Sequence, residues 1–186
     1  MGEGLMKGII FNLLEQVVSG EFGDEVWDSL LDATGLDGAY TAVGSYEDED
    51  LMKLVSAASS SLGKSPDEIV RWFGASSLPL LAIRYPQFFE GHSDTRSFIL
   101  TLNDVIHPEV RKLFPGAYAP SFEFSTKGDD ELELSYFSHR KLCSFAEGLI
   151  EGASNHYSED VSIEQTACSK RGDEKCVLKV RFSKRA

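Results

Sequence analysis

Apolar residues recur at helical spacing through the first two-thirds of the chain and alternate with polar ones through the last third. Ile9, Ile10, Leu13, Leu14, Val17 and Val18 mark the inward face of a helix ending near Gly20. A second helix is predicted from Asp24, carrying Val26, Trp27, Leu30 and Leu31 and stopping before Gly35. Ser45-Tyr46-Glu47-Asp48 reads as a capped, acidic helix start ahead of Leu51, Met52, Leu54 and Val55. Ser65-Pro66-Asp67-Glu68 is a stronger start: serine at the N-cap, proline at the first helical position, acids in the first turn. It opens a helix through Ile69, Val70, Trp72 and Phe73. A further helix is predicted from about Asp94 to Ile106, with Phe98, Ile99, Leu102, Val105 and Ile106 inward, and Pro108 is expected to break it.

After Pro115-Gly116 the period changes. Phe122 and Phe124 alternate with polar residues, as do Leu132, Leu134 and Tyr136, and Lys127-Gly128-Asp129-Asp130 supplies the turn of a hairpin. A helix is predicted from Lys141 to about Asn155, then a second hairpin turning around Arg171-Gly172-Asp173. The expected fold class is α+β: a helical half over about residues 6–115 and a sheet-containing half with one long helix over about 116–186. At 186 residues this is a single domain.

Charge then excludes several function classes. Thirty acidic against 18 basic side chains leave a net charge of −12, the wrong sign for phosphate neutralisation on nucleic acid or for an anionic membrane surface. No apolar run reaches the ~18–20 residues of a membrane span, and the N-terminus lacks the basic region and cleavage site of a signal peptide. The doubled methionine at positions 1 and 6 points to Met6 as the natural start. Three cysteines are too few for a disulfide scaffold and fit a reducing, cytoplasmic setting.

Two constellations could carry chemistry. His107 stands beside the apolar face of a helix just before Pro108, a setting that suits a neutral imidazole held as an axial metal ligand. The bland alternative is a satisfied core histidine. Tyr136, Ser138 and Arg140 fall at i, i+2 and i+4, so an extended segment presents two hydroxyls and a guanidinium together, a set suited to carboxylates or phosphates. The bland alternative there is an exposed strand end. The acidic run Glu47-Asp48-Glu49-Asp50 reads as a solvated helix start, and no phosphate-binding glycine loop is present.

A helix-borne histidine followed about thirty residues later by Tyr-x-Ser-x-Arg resembles the haem nitric oxide/oxygen binding (H-NOX) family, which includes the haem domain of soluble guanylate cyclase and stand-alone bacterial sensors. The resemblance runs from Met6-Lys-Gly-Ile-Ile to the last strand. It implies haem b between the two halves, His107 as the proximal iron ligand, and Tyr136, Ser138 and Arg140 on the haem propionates. Pro120 matches the family's haem-distorting proline, and Ile10 and Leu14 fall where the first helix lines the distal side. In oxygen-binding members a tyrosine on the helix after the arginine donates to bound dioxygen; the matching position here is Phe145, with Leu149 one turn on.

The resemblance therefore implies a non-enzymatic gas sensor that binds nitric oxide and carbon monoxide and signals to a separate histidine kinase or cyclic-di-GMP enzyme by releasing its proximal histidine. The competing readings are a peroxidase-type haem enzyme, which needs a polar distal group to handle protons, and a haem-free small-molecule-binding regulatory domain. Some bacterial members also hold zinc with cysteines and a histidine in a His-x-x-Cys arrangement. Cys143, Cys168 and Cys176 are the candidate ligands, but Gln165 stands where that histidine is expected, and His139 is the substitute within reach.

Overall fold

The computed structural model describes residues 4–126 and 128–185. β1 (Leu5–Lys7) leads directly into α1 (Gly8–Phe22), followed by α2 (Asp24–Thr34), β2 (Ser45–Glu47), α3 (Asp48–Leu62) and α4 (Pro66–Arg84). The capping box expected at α4 is formed: the Glu68 amide donates to Ser65 Oγ at 3.3 Å and the Ser65 amide to Glu68 Oε2 at 2.8 Å. The predicted start at Ser45 is corrected. Ser45–Glu47 pairs antiparallel with β1, and α3 begins only at Asp48, whose amide donates to the Gly4 carbonyl at 2.8 Å. A three-residue pairing with a strand forty positions away leaves no local periodicity to read.

The single helix expected over 94–106 is two pieces, and a third follows it. α5 (Thr95–Leu100) is capped by Asp94, Leu102–Ile106 form one π-helical turn, and α6 (His107–Leu113) follows. Pro108 does not break the chain here. It lacks the amide that the first helical turn leaves unused, so α6 continues from the wide turn, in which the Ile106 amide reaches back to the Thr101 carbonyl at 3.1 Å. Such turns occur often at functional sites, and His107 follows this one directly as the first residue of α6.

β3 (Ser121–Thr126), β4 (Glu131–Phe137), α7 (Cys143–His156), β5 (Glu159–Ala167) and β6 (Cys176–Lys184) complete the chain, with sheet order β3-β4-β6-β5, all antiparallel. Both predicted hairpins are present; Lys127 in the first turn lies outside the described residues. Leu132, Leu134 and Tyr136 are buried as the alternation requires, joined by Leu178 and Val180 from β6.

Packing divides the molecule elsewhere than the change of period does. Residues of α1–α3 form one core with Phe73 and Phe114, whereas Leu78, Phe98, Ile99 and Ile106 pack with α7 and the sheet. α4 thus spans both lobes. Its contact with α7 is unusually close: a Cβ on Gly148 would lie 1.9 Å from the Arg71 carbonyl oxygen, and one on Gly74 2.5 Å from that of Phe145. Arg71 seals the crossing, with Nη1 2.8 Å from Glu147 Oε2 and Nη2 2.6 Å from Glu151 Oε1.

Candidate functional site

Between the lobes lies a cavity of about 310 Å³, lined almost entirely by apolar side chains. Its walls come from α1 (Ile9, Ile10, Leu13), α4 (Phe73, Leu78), α6 with the turn before it (Ile106, His107, Val110), and α7 (Phe145, Ala146, Leu149, Ile150). Ile10, Phe145, Leu149, Pro120, Tyr136, Ser138, Arg140 and His107 all line it, as expected. Leu14 does not: α1 turns it into the core of its own lobe, where it is 4 % exposed, and Ile9 and Leu13 face the cavity instead. A hundred-degree step per residue separates those faces, and the run of apolar residues on α1 hides which one looks out.

His107 is the one imidazole among the lining residues. Its Nδ1 is buried without a hydrogen-bond partner, and its ring stacks near Phe122, centroids 5.9 Å apart. Burial, with Arg111 adding repulsion, pulls its pKa down to about 4, against an opposing contribution from the Pro120 carbonyl. At neutral pH the ring is therefore uncharged and keeps a lone pair. A buried polar atom left unpaired costs about 1–3 kcal/mol, so the site is built for an acceptor of that lone pair or proton.

At the opposite rim, β4 delivers Tyr136 and the turn after it delivers Ser138 and Arg140. Tyr136 is buried beneath the rim, and burial pushes its phenol up to about 12. The Arg140 amide donates to Ser138 Oγ at 3.2 Å, which fixes the turn. The guanidinium is only 8 % exposed and each of its nitrogens makes one bond, Nε to Asp48 Oδ2 at 2.7 Å, Nη1 to the Tyr118 carbonyl at 3.3 Å and Nη2 to the Leu5 carbonyl, which leaves a second N–H on Nη1 and on Nη2. It also stands 4.9 Å from the centre of the Tyr118 ring.

Asp48 is the functional neighbour that the sequence hides. The reading of 47–50 as a solvated helix start fails at this residue, whose side chain is 22 % exposed and whose Oδ1 is buried without a partner. It lies 92 positions from Arg140, and nothing local distinguishes it from Glu47 or Glu49. Tyr85, at the C-terminal end of α4, also lines the cavity and was not singled out by pattern.

The three thiols converge. Sγ of Cys168 lies 3.8 Å from that of Cys143 and 3.9 Å from that of Cys176, all three residues buried and unbridged. His139 takes no part, because its ring packs on Tyr118, centroids 4.2 Å apart, on the rim side. Gln165 occupies the expected histidine position, with its amide nitrogen buried and unpaired beside Cys143. The set supplies three sulfur donors but not the four that structural zinc takes.

Comparison with known proteins accords with this geometry. The chain matches the Haem-NO-binding family over residues 7–165. An H-NOX protein from S. oneidensis in the Fe(II)NO ligation state is 32% identical, covering 96% of this chain and 99% of its own, with a TM-score of 0.90. The H-NOX domain from Shewanella oneidensis in the Fe(II)CO ligation state is 32% identical over the same shares, with a TM-score of 0.86. The unliganded Fe(II) H-NOX protein from K. algicida shares the fold at 24% identity, covering 96% and 97%, with a TM-score of 0.83. With an apolar slot, a buried neutral imidazole and a cationic rim in their expected places, this chain belongs to the haem-NO-binding (H-NOX) family, whose domains are gas sensors and not enzymes.

Proposed function

We propose that this chain is a cytoplasmic nitric oxide sensor using haem b. The observation that carries the reading is His107: a neutral, buried imidazole with an orphaned nitrogen on the wall of an otherwise apolar cavity. His107 would hold the iron, while Tyr136, Ser138 and Arg140 would hold the propionates. The described lining includes no cysteine, so the residues fit a haem bound without thioether bonds. Bound there, haem supplies a ferrous iron able to take diatomic gases.

The remaining steps belong to the chain. Ile9, Ile10, Leu13, Phe145 and Leu149 keep water and proton donors away from the gas side, which disfavours a peroxidase-type role. His107 would couple gas binding to the fold: if its hold on the iron were given up, α6 and the π-turn would be free to shift against the sheet. A two-state change of that kind is what a partner surface reads. A histidine kinase or cyclic-di-GMP enzyme is the proposed effector. Between Gly8 and Met52 the chain carries eleven acidic and no basic side chains, while the other 141 residues carry 19 and 18. A basic partner surface therefore suits the first lobe. A reducing compartment fits the three free thiols, and no described helix is long and apolar enough to cross a membrane.

The purified chain should show a strong Soret band that shifts separately with NO and with CO after reduction. A colourless protein that takes up no haem would leave the haem-free regulatory reading in its place.

Arg140 gives a sharper test of the rim. Arg140→Ala should speed haem loss roughly ten- to hundred-fold, since charge-assisted bonds contribute about 1.5–3 kcal/mol. Transfer of haem to excess apomyoglobin reads the rate. The same variant strands Asp48 without its partner and lowers thermal stability. Adding Asp48→Asn should recover part of that stability but none of the haem retention, which separates holding the haem from pairing with Asp48. Unchanged transfer kinetics in Arg140→Ala would remove the propionate role.

A further inference from the structure

The thiol cluster lies away from the cavity, behind the turn that carries Arg140, and the gas-sensing reading does not use it. Three elements bring it together: Cys143 is the first residue of α7, Cys168 follows the irregularity in β5 near Gln165 and Ala167, and Cys176 opens β6 opposite Tyr136. All ligand atoms lie within 4.8 Å of one another. Edges of 3.8 and 3.9 Å put the centre of the triangle at about the ~2.3 Å of a metal–thiolate bond.

The groups around the sulfurs are mostly donors, with the Lys141 carbonyl, 3.9 Å from Cys143 Sγ, as the one acceptor among the described contacts. The Ser169 amide and hydroxyl each lie 3.3 Å from Cys176 Sγ. The Gln165 amide nitrogen sits buried beside Cys143 with no acceptor. Lys170, from the same turn as Ser169, brings a positive charge to the cluster and is itself held by Asp67 of α4. Hydrogen-bond donors and a cation beside sulfur favour the thiolate form that a metal ion takes, against the burial that pushes the Cys143 thiol up. All three cysteines are buried, and no histidine or carboxylate joins their cluster among the described residues.

We propose that Cys143, Cys168 and Cys176 form a three-coordinate site for a soft, thiophilic cation, monovalent copper by preference, and not a tetrahedral zinc site. Thiolates select soft ions, and a closed set of three sulfurs satisfies an ion content with low coordination number, whereas structural zinc requires a fourth ligand that Gln165 does not provide. Metal binding here would tie the first turn of α7 to the β5–β6 turn without touching the cavity.

The test uses the full chain with its haem, reduced and kept anaerobic. Titrated with Cu(I) against a competing chelator, it should take up one copper per chain, and X-ray absorption at the copper edge should show three sulfur neighbours. Cys168→Ser should weaken copper binding by more than ~100-fold, beyond the effect of losing an outer partner, with the haem spectrum unchanged. Zinc offered to the wild type should be lost on gel filtration, whereas Gln165→His should retain one zinc per chain. The proposal fails if wild-type protein keeps stoichiometric zinc, or if bound copper shows nitrogen or oxygen neighbours. It also fails if Cys168→Ser folds and binds copper as before. Should that variant not fold, the zinc comparison and the copper-edge measurement on the wild type still decide.

Discussion

His107→Ala should give a folded chain that purifies nearly free of haem, with incorporation restored when free imidazole is supplied during expression. The imidazole is the one histidine ring in the described lining, at the start of α6 directly after the π-turn at 102–106. His92 and His139 pack on the lining rings of Phe98 and Tyr118, and His156 on Tyr157, but none of the three lines the cavity itself, so none can substitute without moving its segment. Removing the ring also opens a space its own size next to Phe122, which is why free imidazole should fit. The haem-free wild type should in turn lose stability as pH falls from about 6.5 toward 4. In that window the unfolded chain takes up a proton that buried His107 refuses, so the equilibrium moves toward unfolding. The His107→Ala variant should lack that part of the pH dependence. Normal haem content and an unaltered ferrous spectrum in His107→Ala would falsify the ligand assignment.

How much of this was readable beforehand depends on the range of the interaction involved. The α4 start at Ser65, the strand carrying Tyr136 and the second hairpin are written in neighbouring residues, and each forms where the pattern puts it. His107 and Arg140 could be singled out because a histidine before proline and a Tyr-x-Ser-x-Arg run are short motifs. Their line to the cavity is a property of the fold. β1–β2, the Asp48–Arg140 pair and the Gly74–Gly148 crossing join positions roughly 40 to 90 residues apart, and no local period encodes them. Leu14 was misplaced by one step around α1 because Leu13 and Leu14 are equally apolar and both buried. The thiol cluster is half legible: Cys168 and Cys176 flank the turn at Arg171-Gly172-Asp173, while their meeting with Cys143 depends on how α7 enters.

The second large effect concerns which gases the chain accepts, and it turns on Phe145. Dioxygen draws electron density from a ferrous centre and so asks for a hydrogen-bond donor, whereas NO and CO ask for much less. Phe145 packs against Phe73, ring centroids 5.1 Å apart, and lines the cavity with Leu149 and Ile10, none of which can donate. Phe145→Tyr should raise oxygen affinity roughly ten- to hundred-fold if the added hydroxyl reaches the ligand, the worth of a single hydrogen bond of about 1–3 kcal/mol. NO binding should stay within a few-fold of wild type. Equal oxygen behaviour of wild type and Phe145→Tyr would show that this position does not face the gas.

The most direct measurement is the absorption spectrum of the reduced wild-type protein, first in air and then with NO. No stable oxygen spectrum should form in air, and NO should give a persistent new spectrum at once. A stable oxygen spectrum in the wild type would contradict the nitric oxide sensor and would make Tyr85, the phenol lining the cavity at the end of α4, the donor to remove next.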